Sequence, residues 1–99
     1  MNTQPNTKAC IHIWVTGRVQ GVGFRAFVVQ QAQYLKLTGW VRNLGYSQVE
    51  AVAEGPREIL ERFVEILRRG PTGSRVDDLR LEWETPNGGL SSFDVRRSL

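Results

Sequence analysis

Residues 17–25, Gly17-Arg18-Val19-Gln20-Gly21-Val22-Gly23-Phe24-Arg25, decide the fold, because the hydropathy period changes across them. Before them, from Lys8 to Thr16, the chain alternates: Ile11, Ile13 and Val15 share one side, and Cys10, His12, Trp14 and Thr16 the other. That is the two-residue period of a strand with one apolar face. After them, Phe24, Phe27, Val28, Ala32 and Leu35 recur at three- and four-residue steps, which predicts a helix over about Val22 to Lys36. The stretch is therefore a strand-to-helix turn. Its three glycines, Gly17, Gly21 and Gly23, let the backbone enter φ > 0 and turn several N–H groups toward one point. The free N–H groups and the positive dipole end of the following helix would add to that field. Arg25, in the first turn, contributes a forked cation. Such an arrangement suits an anion, most naturally a phosphate.

Leu37-Thr38-Gly39 breaks the helix, and Trp40–Leu44 reads as a second strand. Gly45-Tyr46-Ser47 is turn chemistry leading into a third strand, Gln48–Glu54, in which Val49, Ala51 and Ala53 alternate with polar residues. Gly55 is expected as the cap of a second helix, with Pro56 at its first position and Glu58 in the first turn. Its buried stripe would be Ile59, Leu60, Phe63, Val64 and Leu67. Arg68 and Arg69 complement the dipole before Gly70-Pro71 stops the helix. Residues 76–84 alternate again, Pro86–Gly89 turns the chain, and Phe93-Asp94-Val95 makes a short last strand. The order is βαββαβ plus a brief extra strand. This predicts an α+β, ferredoxin-like sandwich: an antiparallel sheet with two helices on one face. Residues 1–7 carry no pattern and are expected to be a disordered tail, with one domain over residues 8–99.

The 99 residues, 40% hydrophobic and 23% charged, describe an ordinary globular domain. A net charge of +3 favours small anionic ligands. It argues only weakly for nucleic acid, since no run of like charge exceeds two. The single Cys10 can form no internal disulfide and has no partner at metal-ligand spacing. No apolar run approaches transmembrane length, and residues 1–9 are polar rather than signal-like, so a reduced, cytoplasmic setting is expected.

The glycine loop with Arg25 is the first candidate site. It is not a Walker A loop, since no Gly-Lys-Ser/Thr follows, and it lacks the dinucleotide-binding spacing. A tight turn with a solvated arginine is the plainer alternative. Asn43 ends an apolar strand before a turn. It could be a turn-favouring residue, or an amide that both donates to and accepts from a water. In a ferredoxin-like sandwich the first loop and the end of the second strand can share one sheet edge, so Arg25 and Asn43 could converge. His12, the only histidine, faces away from the Ile11 side and is a weak catalytic candidate. Cys10 lacks a nearby base and is expected to be inert. Trp14 beside His12 could stack on bases, as in a single-stranded RNA binder, but the aromatic motif of such sheets is absent. Glu50, Glu54, Asp77 and Asp78 are expected to be solvated charges.

These residues also carry a resemblance. Gly17–Arg25 together with Gly39-Trp40-Val41-Arg42-Asn43 resembles the acylphosphatase signature, a Gly-x-Val-Gln-Gly-Val-x-Phe-Arg motif followed at the family's usual distance by the second motif. Gly55-Pro56 and Phe93 also fit, and the likeness spans roughly residues 8–97. One departure is visible: Ser47 stands where many members have a glycine, a difference that bears on the turn geometry more than on the chemistry. The resemblance implies hydrolysis of a small-molecule acylphosphate to a carboxylate and inorganic phosphate, without metal or cofactor. It implies that Arg25 grips the phosphoryl group and that the backbone N–H groups of Val19, Gln20, Gly21, Val22, Gly23 and Phe24 surround it. Asn43 would orient the attacking water. A monomer is expected, with neither nucleic acid nor membrane as a partner. A phosphate- or acylphosphate-sensing module with the same cradle is the remaining alternative.

Overall fold

A computed structural model describes residues 8–99, so the tail expected at residues 1–7 lies outside the described residues. The elements run β1 (Lys8–Arg18), α1 (Phe24–Tyr34), β2 (Thr38–Leu44), β3 (Gln48–Pro56), α2 (Arg57–Arg69), β4 (Arg75–Glu84) and β5 (Phe93–Val95). The sheet order is β4-β1-β3-β2-β5. Both helices lie on one face: α1 over β2 and β5, α2 over β1, β3 and β4. This is the expected α+β, ferredoxin-like sandwich.

The core is where the two periodicities meet. Ile11, Ile13 and Val15 of β1 are buried, as are Val49, Ala51 and Ala53 of β3. Against them lie Phe24, Val28 and Ala32 of α1 and Leu60, Phe63, Val64 and Leu67 of α2. Phe27 and Leu35 flank this cluster half-buried. Phe63 is fully buried and meets Phe93 edge-on, their ring centroids 6.1 Å apart. Truncating a ring so placed typically costs roughly 3–5 kcal/mol.

Four expectations need correction. The sheet is mixed, because β5 pairs parallel to β2 (Gly39↔Phe93, Val41↔Val95). Residues 85–92 carry the chain from the β4 edge to the opposite edge, and a crossover to the far edge gives β5 the direction of β2. Gly55 does not cap α2: it and Pro56 still pair with Ala9 and Lys8. Pro56 is the N-cap, at φ −60° and ψ 137°, so its ring-fixed φ serves an extended residue as well as a helical one.

The third correction concerns α1, which spans less than Val22 to Lys36. At its start Gly23 is left-handed, with φ 79°. At its end Lys36 takes φ 61°. Its N–H donates to Gln33 O at 3.1 Å, and the Leu37 N–H donates to Ala32 O at 2.9 Å. That pair of bonds is a Schellman cap, with buried Leu37 as its apolar anchor and a lysine where glycine is usual.

The fourth correction is that Glu50 and Glu54 are buried, not solvated. The central strand β3 turns both to the helix-free face, where other groups cover them. Residues 85–92 pass over Glu54, and the Asn87 N–H donates to its Oε2 at 3.2 Å. Lys8 Nζ lies 3.4 Å from its Oε1. Glu50 is held between His12 Nε2 and Arg42 Nε, each 2.6 Å from one of its oxygens. Above this cluster His12 stacks on Trp14 (centroids 3.9 Å apart), Arg80 lies over Trp14, and Arg42 and Arg96 lie over Trp40.

Candidate active site

The glycine loop leaves β1 at a narrow passage. The Gly17 N–H donates to Ser47 O at 3.0 Å, tying the loop to the β2–β3 turn. A side chain at Gly17 would place its Cβ 2.1 Å from Arg75 O, so glycine is required there. In that turn the positive φ falls on Gly45, and Ser47 takes none.

The loop is pinned at both ends. Val19 and Phe24 are each 1% exposed and sit in the core as plugs. Between them the Gln20 side-chain amide donates to Gly45 O (3.1 Å) and Gln48 O (2.9 Å). Gln48 in turn donates to Thr16 Oγ1 at 2.9 Å. Gly21 and Gly23 stay exposed between these anchors, and neither would crowd any atom with a Cβ. The left-handed φ at Gly23 closes the loop onto α1, whose first turn carries neither an acidic residue nor a side-chain cap. Its leading N–H groups and dipole are therefore not offset locally.

Asn43 reaches the same place from β2. It lies two residues beyond buried Val41, and successive strand residues alternate faces, so it points to the helical side of the sheet. Its backbone is clamped from the next chain segment: Arg96 N–H donates to Val41 O at 2.8 Å, and Leu99 N–H to Asn43 O at 3.0 Å. Its side-chain Oδ1 is buried and accepts no hydrogen bond among the described residues. Such an atom is costly to leave unpartnered unless a ligand or water meets it.

The two halves meet in a cavity of about 350 Å³ lined by Val19, Gly21, Gly23, Phe24, Arg25, Ala26, Asn43 and Val95. Arg25 and Asn43 are thus brought together, with four of the six loop residues expected around them. Gln20 and Val22 do not line the cavity. Among the described residues no ion pair or side-chain hydrogen bond engages Arg25, whereas Arg42, Arg75 and Arg80 each have a carboxylate partner. Ala26 and Val95 are additions that sequence reasoning missed. Val95 carries no local signal, since its place depends on β5 docking beside β2.

The other weighed residues lie elsewhere. His12 is on the helix-free face, its Nε2 on Glu50 and its Nδ1 3.1 Å from Glu84 Oε2. Cys10 is buried, and burial together with the charges of Glu54 and Glu84 pushes its thiol up to about 11. A thiol so shifted is a poor nucleophile at neutral pH.

Fold and site together define a ferredoxin-like α+β protein with an open, cationic, amide-rich cavity at one sheet edge. Residues 11–95 match the sequence profile of the acylphosphatase family. The acylphosphatase of Trichormus variabilis is 48% identical over 97 residues, covering 97% of this chain and 95% of that protein. That of Nostoc sp. is 52% identical over 86 residues, covering 87% and 84%. The crystal structure of acylphosphatase from Bacillus subtilis has a TM-score of 0.85 at 41% identity, covering 89% of this chain and 98% of that one. Full-length HypF in its phosphate- and nucleotide-bound form also superposes, with a TM-score of 0.85 at 26% identity, over 98% of this chain but 13% of that protein. The chain belongs to the acylphosphatase family.

Proposed function

We propose that residues 8–99 form one catalytic unit that hydrolyses small acylphosphates by direct attack of water. The phosphoryl group is held by the Arg25 guanidinium and by backbone N–H groups of residues 19–24. Family membership supports the reaction. One observation supports the residue roles above the others: a single cavity joins an arginine that has no carboxylate partner among the described residues to an asparagine whose buried Oδ1 has no donor among them.

Asn43 accepts a hydrogen bond from the water and aims its oxygen at phosphorus. The new P–O bond forms as the P–O bond to the acyl group breaks, and the departing electron pair stays on the carboxylate. The water's second proton passes to a phosphate oxygen. No strong acid is needed, because a carboxylate is a good leaving group. Charge on the equatorial oxygens is met by the fork of Arg25 and by amides already fixed by Val19, Phe24 and Gln20. Preorganisation of this kind requires no rearrangement during the reaction. The proposal includes a monomer working in the cytoplasm without metal or cofactor. Among the described residues no helix is long and apolar enough to cross a membrane.

The test is phosphate release from benzoyl phosphate in the presence of EDTA. Wild type is expected to release phosphate at the same rate with and without chelator, and Asn43→Ala to lose most of that release. No release by wild type would point instead to a sensing module with the same cradle.

A further inference from the structure

The cavity containing Arg25 and Asn43 does not close behind the phosphoryl position. Across Gly23, Ala26 and Val95, which line both spaces, it opens into a groove of about 710 Å³ along the exposed side of α1. Phe27 and Pro71 line this groove, with Gln30 and Gln33 on its α1 wall. Val95 is 51% exposed, one of few large apolar side chains left open to solvent. A solitary exposed valine means little. This one stands at the junction of two concavities, where a ligand crossing from one to the other must pass it.

An acylphosphate has two ends with opposite needs. Its phosphoryl end is anionic and calls for donors, which the first cavity supplies. Beyond its carbonyl oxygen, its acyl end carries nothing that the loop or Arg25 would recognise. The groove has the complementary chemistry: apolar walls, two neutral amides, and neither a carboxylate nor a cation among its lining residues. A distal ammonium on the acyl group would find no counter-ion there, and neither would a distal carboxylate.

We propose that this groove receives the acyl part of the substrate, and that Val95 and Phe27 make the enzyme select uncharged aryl or branched-alkyl acylphosphates. The proposal rests on the hydrolytic reading above and names its substrate class. Apolar contact of this kind is uniform binding, so it appears in KM more than in kcat.

The experiment compares kcat/KM for acetyl, benzoyl and 4-carboxybenzoyl phosphates in wild type, Val95→Ser and Gln30→Lys. Using ratios of variant to wild type cancels the intrinsic reactivity of each substrate. Val95→Ser is expected to lower the benzoyl-to-acetyl ratio roughly tenfold, the discrimination typical of losing a small apolar contact. Gln30 is exposed on α1, so Gln30→Lys should fold normally. It is expected to raise the 4-carboxybenzoyl-to-benzoyl ratio severalfold by supplying the missing cation. An equal fall on both substrates in Val95→Ser, or an unmoved ratio in Gln30→Lys, overturns the proposal. Kd values for acetyl- and benzoylphosphonate, measured by calorimetry on the same proteins, read the groove without turnover. A wild type that discriminates between them but releases no phosphate would sink the hydrolytic reading alone. Equal Kd values would sink the groove.

Discussion

The Glu50 cluster on the helix-free face and the cavity beside the glycine loop treat their polar groups in opposite ways. On the helix-free face Glu50 is buried, and both of its oxygens are taken, by Arg42 and His12 at 2.6 Å each. The second nitrogen of His12 meets Glu84, and the tryptophans are covered by arginines. At the loop edge on the helical side, Arg25 has no carboxylate and Asn43 Oδ1 no donor among the described residues. Burying Glu50 is tolerated because the fold satisfies both of its oxygens. At the loop edge the proposed substrate and water would be the missing partners. Charge and aromatic residues alone would have pointed to the helix-free face.

The largest effect is expected at Arg25. Arg25→Ala is expected to lower kcat/KM on benzoyl phosphate by roughly 10³ or more, with kcat and KM both impaired, the loss typical of an arginine that stabilises phosphoryl transfer. Arg25→Lys should recover little, because a point charge cannot present two parallel donors. Steady-state kinetics on purified variants would show either outcome.

Asn43→Ala should follow, with kcat down ~10²–10³ and KM nearly unchanged, as expected for a group that engages the water and not the bound phosphate. A rise in KM with kcat intact would place Asn43 among the phosphate ligands instead.

The satisfied Glu50 cluster should respond in stability and not in rate. Glu50→Gln leaves Arg42 and His12 without their carboxylate and is expected to cost about 1–3 kcal/mol in urea unfolding at pH 7, with unchanged turnover. Its acid dependence has a definite sign. Burial works to raise the Glu50 pKa, but hydrogen bonds from Arg42 and His12 outweigh it, so the folded carboxyl titrates below its ordinary value of 4.5. The stabilisation from this shift is complete above the ordinary glutamate value and is lost as pH falls toward the folded one. The stability gap between wild type and Glu50→Gln should therefore be constant above about pH 5 and shrink below about pH 4, near the ordinary carboxylate range. A gap that widened in acid would contradict the assignment.

The smallest effect lies away from both faces. Lys36→Gly removes a left-handed lysine from the α1 cap, and a gain of roughly 0.5–1 kcal/mol is expected from relieved strain. A thermal melt that moves down instead would mean the lysine side chain contributes more than its backbone strain costs.

Much of the architecture could be read along the chain, because it rests on local periods. The two-residue alternation of Ile11, Ile13 and Val15 and the helical spacing of Leu60, Phe63, Val64 and Leu67 were each visible within one segment. So was the glycine loop between β1 and α1, and with it Arg25. Element ends were less legible. Pro56 satisfies an extended and a helical φ alike, and at Lys36 a lysine adopts a conformation that sequence reserves for glycine.

By itself, then, the sequence determined a βαββαβ order, a glycine-rich turn facing a helix start, and one arginine and one asparagine at the ends of their elements. Which of the chain's polar groups find partners depends on how distant segments pack. The crossover at residues 85–92 buries Glu54 and brings β5 beside β2, so that Val95 and the clamp on Asn43 arrive from the far end of the chain. Those contacts join residues dozens of positions apart, and hydropathy periods, which describe neighbours a few residues away, carry no record of them.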